Sequence, residues 1–123
     1  MTSPTGLHHV SLNVDDVDAA LDFWVGRLGL RVRDDRPDFA FGGAWLDAGA
    51  QQVHLIEAAP PADHGQHVAL WFDDLDAVVA ELRAQGIEVS DPRPVGTSRQ
   101  AFCHDPAGNR VELHEPGGPP RSG

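Results

Sequence analysis

A chain of 123 residues, 41% of them hydrophobic, is long enough for one compact domain with a core of its own and too short for two independent ones. Its formal net charge of −10, with every basic side chain an arginine and none a lysine, argues against nucleic acid and anionic lipid as partners and suits attraction of a divalent cation. The lone Cys103 leaves no intrachain disulfide and fits a reducing compartment. No apolar run approaches the roughly 18 residues of a membrane span, and residues 1–6 lack the pattern of a signal peptide, so the expectation is a cytoplasmic protein.

Residues 7–14 read as a strand, with Leu12 and Val14 on one side and His9, Ser11 and Asn13 on the other. Asp16 is placed to cap a helix carrying Val17, Leu21, Trp24 and Leu28 on its inner stripe, and Gly29 stops it. Short alternating runs follow at 30–32, 39–41, 44–48 and 52–57, broken by Pro37, Gly42-Gly43 and Gly49, and these read as about three strands. Residues 58–65, with Pro60-Pro61, form a linker.

The second half replays this order: a strand at 66–72, a cap at Asp74, a helix at 75–84 and a stop at Gly86. Strands follow at 87–89, 98–103 and 110–115. The replay is visible residue by residue. At an offset of 58, His9-Val10 meets His67-Val68 and Asp15-Asp16 meets Asp73-Asp74. Asp47 meets Asp105, and Val53-His54-Leu55 meets Val111-Glu112-Leu113. The chain is therefore one α+β domain of two βαβββ modules, 7–57 and 66–116, joined by the linker 58–65 and ending in a flexible tail, 117–123. The modules are expected to be related by pseudo-twofold symmetry and to form a half-barrel cleft.

Strand parity decides which groups face that cleft. His9, Ser11 and Asn13 share a face, as do His67, Ala69 and Trp71, then Gln52, His54 and Ile56, and finally Arg110, Glu112 and His114. His9 and His67, and likewise His54 and Glu112, occupy repeat-equivalent positions. Three imidazoles and one carboxylate suit Zn, Ni, Fe(II) or Mn, and suit Ca or Mg poorly because those ions take all-oxygen shells. His8 has the opposite parity and is expected to be packed or exposed, and His64 to lie on the surface of the linker. His104 and His114 are candidates for contacts behind the ligands or to substrate. Trp71, Phe102 and Trp45 would give the cleft an apolar wall.

The segments His9-Val10 through Asp15-Asp16, Phe23-Trp24 followed by Leu28-Gly29-Leu30, and Asp105-Pro106-Ala107-Gly108-Asn109-Arg110-Val111-Glu112-Leu113 resemble the vicinal oxygen chelate superfamily. That group includes glyoxalase I, fosfomycin resistance thiol transferases, extradiol dioxygenases and metal-free bleomycin resistance proteins. The resemblance covers nearly the whole chain and implies a metal held by His9, His67 and Glu112, with the fourth family position on His54. It also implies a homodimer, often with each site assembled from both chains, and a small-molecule substrate. His54 stands where glyoxalase I-like enzymes usually carry a second glutamate, which leaves Glu112 as the proton carrier. The fosfomycin enzymes use a lysine and a tyrosine, and this chain has neither. The leading expectation is a metal-dependent lyase or isomerase of the glyoxalase type. An Fe(II) extradiol-type dioxygenase and a binding or resistance protein that sequesters a small aromatic compound are the alternatives.

Overall fold

A computed structural model describes residues 2–117; six of the seven tail residues, 118–123, lie outside the described residues. Among the described residues the chain divides into two compact units, 2–62 with 106–109 and 63–105 with 110–117. No helix is long and apolar enough to cross a membrane among the described residues.

Unit one runs β1 (His9–Val14), α1 (Val17–Leu21), a π-helical turn (Asp22–Arg27), β2 (Arg31–Val32), β3 (Gly43–Ala48) and β4 (Gln51–Glu57). Its sheet has the order β1-β4-β3-β2, with β1 parallel to β4 and the other pairs antiparallel. Unit two runs β5 (His67–Trp71), α2 (Leu75–Ala84), β6 (Arg93–Val95), β7 (Ser98–His104) and β8 (Arg110–Glu115), and its sheet order β5-β8-β7-β6 repeats that pattern. Each unit is the βαβββ module expected from the repeat.

The caps act as the sequence suggests: Asp16 accepts from Ala19 N at 3.0 Å and Asp74 from Ala77 N at 3.1 Å. The first helix departs from expectation. Leu28 N bonds to Phe23 O, five residues back, so the helix widens by one residue in its second half. Phe23 thereby turns inward beside Trp24, while Val17 and Leu21 are only half-buried.

Two expected strands are absent. Residues 39–41 form none, because their polar groups are satisfied locally: Phe39 N bonds to Pro37 O at 3.0 Å, and Phe41 O accepts from Arg36 Nη2 at 2.8 Å. Residues 87–89 also form none. Only Ser90 reaches β7, through Phe102, and the edge strand forms later, at Arg93–Val95, where Pro94 is tolerated.

The repeat also slips by one residue. Trp45 lies opposite His54 whereas Phe102 lies opposite Glu112, an offset of 57 rather than 58. The partner of Asp47 is therefore His104 and not Asp105, because five residues separate the paired His104 and Arg110 where four separate the paired Asp47 and Gln52.

Each unit has its own core. Trp24, Leu46, Val53 and Leu55 are buried in the first, and Leu75, Leu82, Val111 and Leu113 in the second. Cys103 is buried among the latter. Burial, with a smaller push from Asp105, raises its thiol to about 11, so it is not a nucleophile at neutral pH.

Gly43 allows β3 to approach β4: a Cβ there would lie 2.1 Å from the carbonyl oxygen of Leu55. Gly43→Ala is expected to lower unfolding free energy by about 1–3 kcal/mol, read as a reduced denaturant midpoint at unchanged slope.

In unit two, Asp63 accepts from His104 Nε2 at 2.7 Å, Gly65 N at 2.9 Å and Arg110 Nε at 3.1 Å. The His104 bond first, then the Gly65 amide, hold its carboxyl at about 2. A depressed folded-state value contributes stability above the ordinary aspartate range, near 4, and loses it as pH falls toward 2. Asp63→Asn should therefore flatten the acid limb of a stability-versus-pH curve between those values. An unchanged limb would show that the cluster does not act on stability.

Candidate functional site

In unit one, parallel pairing sets Ser11 opposite His54 and His9 opposite Gln52, and Trp45 faces His54 from the other side. His54 is nearly buried. Its ring is stacked between His9, at 3.8 Å between centroids and 14°, and Trp45, at 4.4 Å and 10°. Its Nε2 donates to Gln52 Oε1 at 2.8 Å. Burial, then the neighbouring His9 and His8, lowers its pKa below the ordinary histidine range and keeps it neutral.

His9 and His54 lie in nearly parallel planes, so their in-plane lone pairs run side by side and do not converge on one point. The arrangement offers one imidazole as a donor with the other stacked behind it.

His8 is exposed, as parity suggests, yet it belongs to this cluster. Its Nδ1 lies 2.8 Å from His9 Nδ1, and its ring stands edge-on to His54 at 6.3 Å. The bond to His8 occupies His9 Nδ1 and leaves Nε2 for a ligand. Parity could not show this, because the contact runs along the strand rather than across it.

Asn13 ties loop and strand ends together. Its Nδ2 donates to Ala59 O at 3.2 Å, and its carbonyl accepts from Asn109 Nδ2 at 2.9 Å. Ser11 is exposed beside His54's strand.

Unit two brings five of the expected residues together. Pairing places Ala69 and Phe102 on either side of Glu112, and Trp71 beside His114. Glu112 is 8% exposed, with Oε1 3.1 Å from His67 Nε2. Its Oε2 accepts from His114 Nδ1. His114 Nε2 is 2.9 Å from Ser98 Oγ, which donates in turn to Val95 O at 3.0 Å. Phe102 stands edge-on to His67 at 5.5 Å, and Trp71, 62% exposed, edge-on to His114 at 5.1 Å. Nothing in the sequence pattern marks Ser98, and only the β7–β8 register reveals its place behind His114.

Does the donor set fit a metal ion? His67 Nδ1 donates to Gly65 O at 2.8 Å, so a neutral ring turns the lone pair of Nε2 toward a carboxylate oxygen. That contact is unfavourable unless a cation lies between them or the ring is protonated. Two ligands each about 2.1 Å from one ion are roughly 3.0–3.4 Å apart at tetrahedral or octahedral angles, which matches this pair. His9 and His67 thus share one device, a tied Nδ1 and an available Nε2, built from His8 in one unit and from a backbone carbonyl in the other. Among the described residues no cluster of three or more His, Cys, Asp or Glu side chains is assembled that could hold a metal.

Residues 6–113 match the family model described as Glyoxalase/Bleomycin resistance protein/Dioxygenase superfamily. A lactoylglutathione lyase of Haemophilus influenzae is 29% identical over 87% of this chain and 90% of its own length. Of a chloroplastic Arabidopsis thaliana relative named as a probable lactoylglutathione lyase, 30% identical, the chain spans only 36% of the length. Among solved structures, a glyoxalase family protein from Bacillus anthracis superimposes with a TM-score of 0.83 at 27% identity, covering 94% of this chain and 98% of that one. An antibiotic binding protein from Streptomyces sp. superimposes with a TM-score of 0.78 at 28% identity, covering 94% and 99%.

Proposed function

Because this chain belongs to the glyoxalase/bleomycin resistance protein/dioxygenase superfamily, we propose that it is a metal-dependent enzyme that moves a proton on a small substrate chelating the ion through two oxygens. The observation that carries this reading is the His67–Glu112 pair, spaced as a chelate and backed by His114 and Ser98. Relatives named lactoylglutathione lyase at about 30% identity support the reaction class.

On this reading His9, His67 and Glu112 hold a divalent ion (Zn, Ni, Fe(II) or Mn), and His54 supports His9 as a stacked, neutral plate. The ion, when bound, supplies Lewis acidity to a carbonyl oxygen and its neighbour. Glu112 is the base that lifts a proton from the carbon beside the carbonyl and returns it to the adjacent one. His114 holds Oε2 by a hydrogen bond, so that Oε1 stays beside His67 Nε2 while the proton moves. Phe102 stands edge-on to His67 and supports the position of its ring. The superfamily likeness supports a homodimer as the assembled form.

Metal analysis of protein purified without chelators or added metal is the test. About one divalent ion per chain is expected, and His67→Ala should return markedly less. Metal-free wild-type protein that also fails to load overturns the reading. It would favour a sequestering protein, the reading supported by the likeness to the antibiotic binding protein. Oxygen uptake by Fe(II)-loaded protein with catechols would instead favour a dioxygenase, since two histidines and a carboxylate also suit that chemistry.

A further inference from the structure

The ring of His67 is tied to the turn that leads into its own strand. Its Nδ1 lies 2.8 Å from Gly65 O, and because a carbonyl only accepts, the ring carries a proton there. That carbonyl belongs to a glycine at φ 102°, a conformation that L side chains rarely adopt and that glycine reaches and leaves freely. The acceptor that sets the ring is therefore only as firm as whatever holds Gly65.

Asp63 holds it. Its Oδ1 accepts from Gly65 N at 2.9 Å, a bond from a side chain to the amide two residues on, which closes an Asx turn. Gln66 Oε1 accepts from His64 N at 3.0 Å and steadies the same turn a second time. The other oxygen of Asp63, Oδ2, accepts from His104 Nε2 at 2.7 Å and from Arg110 Nε at 3.1 Å.

Those two donors fix the turn to the sheet. Strand pairing sets His67 opposite Arg110 and Arg110 opposite His104, so one row of residues crosses β5, β8 and β7, and Asp63 is bonded to two of its three members. The Arg110 guanidinium carbon also lies 5.8 Å from the centroid of Phe102, the ring that stands edge-on to His67. Asp63 is thus held relative to the strand that carries His67, and it passes that order back to the ring through Gly65.

We propose that Asp63 is a positioning residue for His67: it fixes the Gly65 turn so that the carbonyl keeps a proton on Nδ1 and presents Nε2 toward Glu112 Oε1. That Nε2 then serves an ion rests on the proposed metal-dependent function; the setting of the ring by Asp63 does not. The turn, and not the charge of Asp63, is what the site uses.

Two substitutions separate turn from charge. Asparagine closes the same turn without a charge, whereas glutamate keeps a charge for His104 and Arg110 but is too long to close it. The test is nuclear magnetic resonance of the whole 15N-labelled protein, chelator-treated, followed by calorimetric titration with zinc. In the wild type the His67 Nδ1 proton should be protected from exchange with water. Asp63→Asn should keep that protection and hold the zinc Kd within about threefold. Asp63→Glu should lose the protection and weaken zinc binding about 10- to 100-fold, the usual cost of losing a group that orients a ligand. Asp91→Ala, which breaks a different ion pair of this unit, with Arg83, should match the wild type in both readouts. Thermal melts by circular dichroism confirm that the variants fold.

A protected Nδ1 proton in Asp63→Glu, its loss in Asp63→Asn, or its absence from the wild type overturns the proposal. Wild-type protein that takes up no zinc sinks the metal-dependent function, and the proton comparison then decides the role of Asp63 by itself. Lost protection in Asp63→Glu at an unchanged zinc Kd upholds that role and removes His67 from the ligands.

Discussion

Glu112→Gln is expected to leave a folded protein that has lost its chemistry. Glutamine keeps the volume of a side chain that is 8% exposed and lies in the central strand β8, so the melting temperature should change little. It removes the charge on which the proposed ligand and base roles both depend. Solvent deuterium exchange into the CH2 of 2-hydroxyacetophenone, which carries vicinal oxygens and a proton next to a carbonyl, should fall by about 10²–10⁴-fold. Metal occupancy should fall with it. The two readouts divide the roles: retained metal with lost exchange would make Glu112 a base only, and full retention of both would remove it from the site. In the native protein both ring nitrogens of His114 are engaged, Nδ1 by Glu112 and Nε2 by Ser98.

Trp24→Ala is expected to be the most damaging single change to stability. Trp24 has no exposed surface, stands edge-on to Phe23 at 5.5 Å and lies in the π-helical turn that aims both rings into the core of unit one. Truncating a buried tryptophan typically costs about 3–5 kcal/mol, a large share of the roughly 5–15 kcal/mol that separates folded from unfolded chains. Chemical denaturation followed by far-ultraviolet circular dichroism checks this. Trp71→Ala serves as the comparison, because Trp71 is mostly exposed and its loss should cost about 0.5 kcal/mol or less. Similar losses in the two variants would contradict the placement of Trp24 as the centre of that core.

Strand and helix positions were largely legible because they rest on local periodicity and capping. Helix α2 occupies the expected residues, and Asp16 and Asp74 cap as their place before an apolar stripe suggests. The errors are equally physical. A π-turn adds one residue to a helical stripe that spacing counts at 3.6, and residues 39–41 alternate like a strand but satisfy their backbone locally with help from Arg36. The longer turn between β7 and β8 shifts the repeat by one position, which no count of identical residues at a single offset can register.

The sequence by itself determined the two modules, the faces of their strands and the identity of the candidate ligands, since a repeat with side-chain period two is a property of order along the chain. Only the tertiary structure decided how those side chains are poised. His8 and the Gly65 carbonyl tie Nδ1 of His9 and His67, Trp45 and His9 enclose His54 between parallel rings, and His114 with Ser98 steadies Glu112. Tautomer, stacking and hydrogen-bond direction depend on neighbours brought in from other strands, or along the strand, at distances of a few ångströms. The order of residues carries no record of these until the sheets are formed.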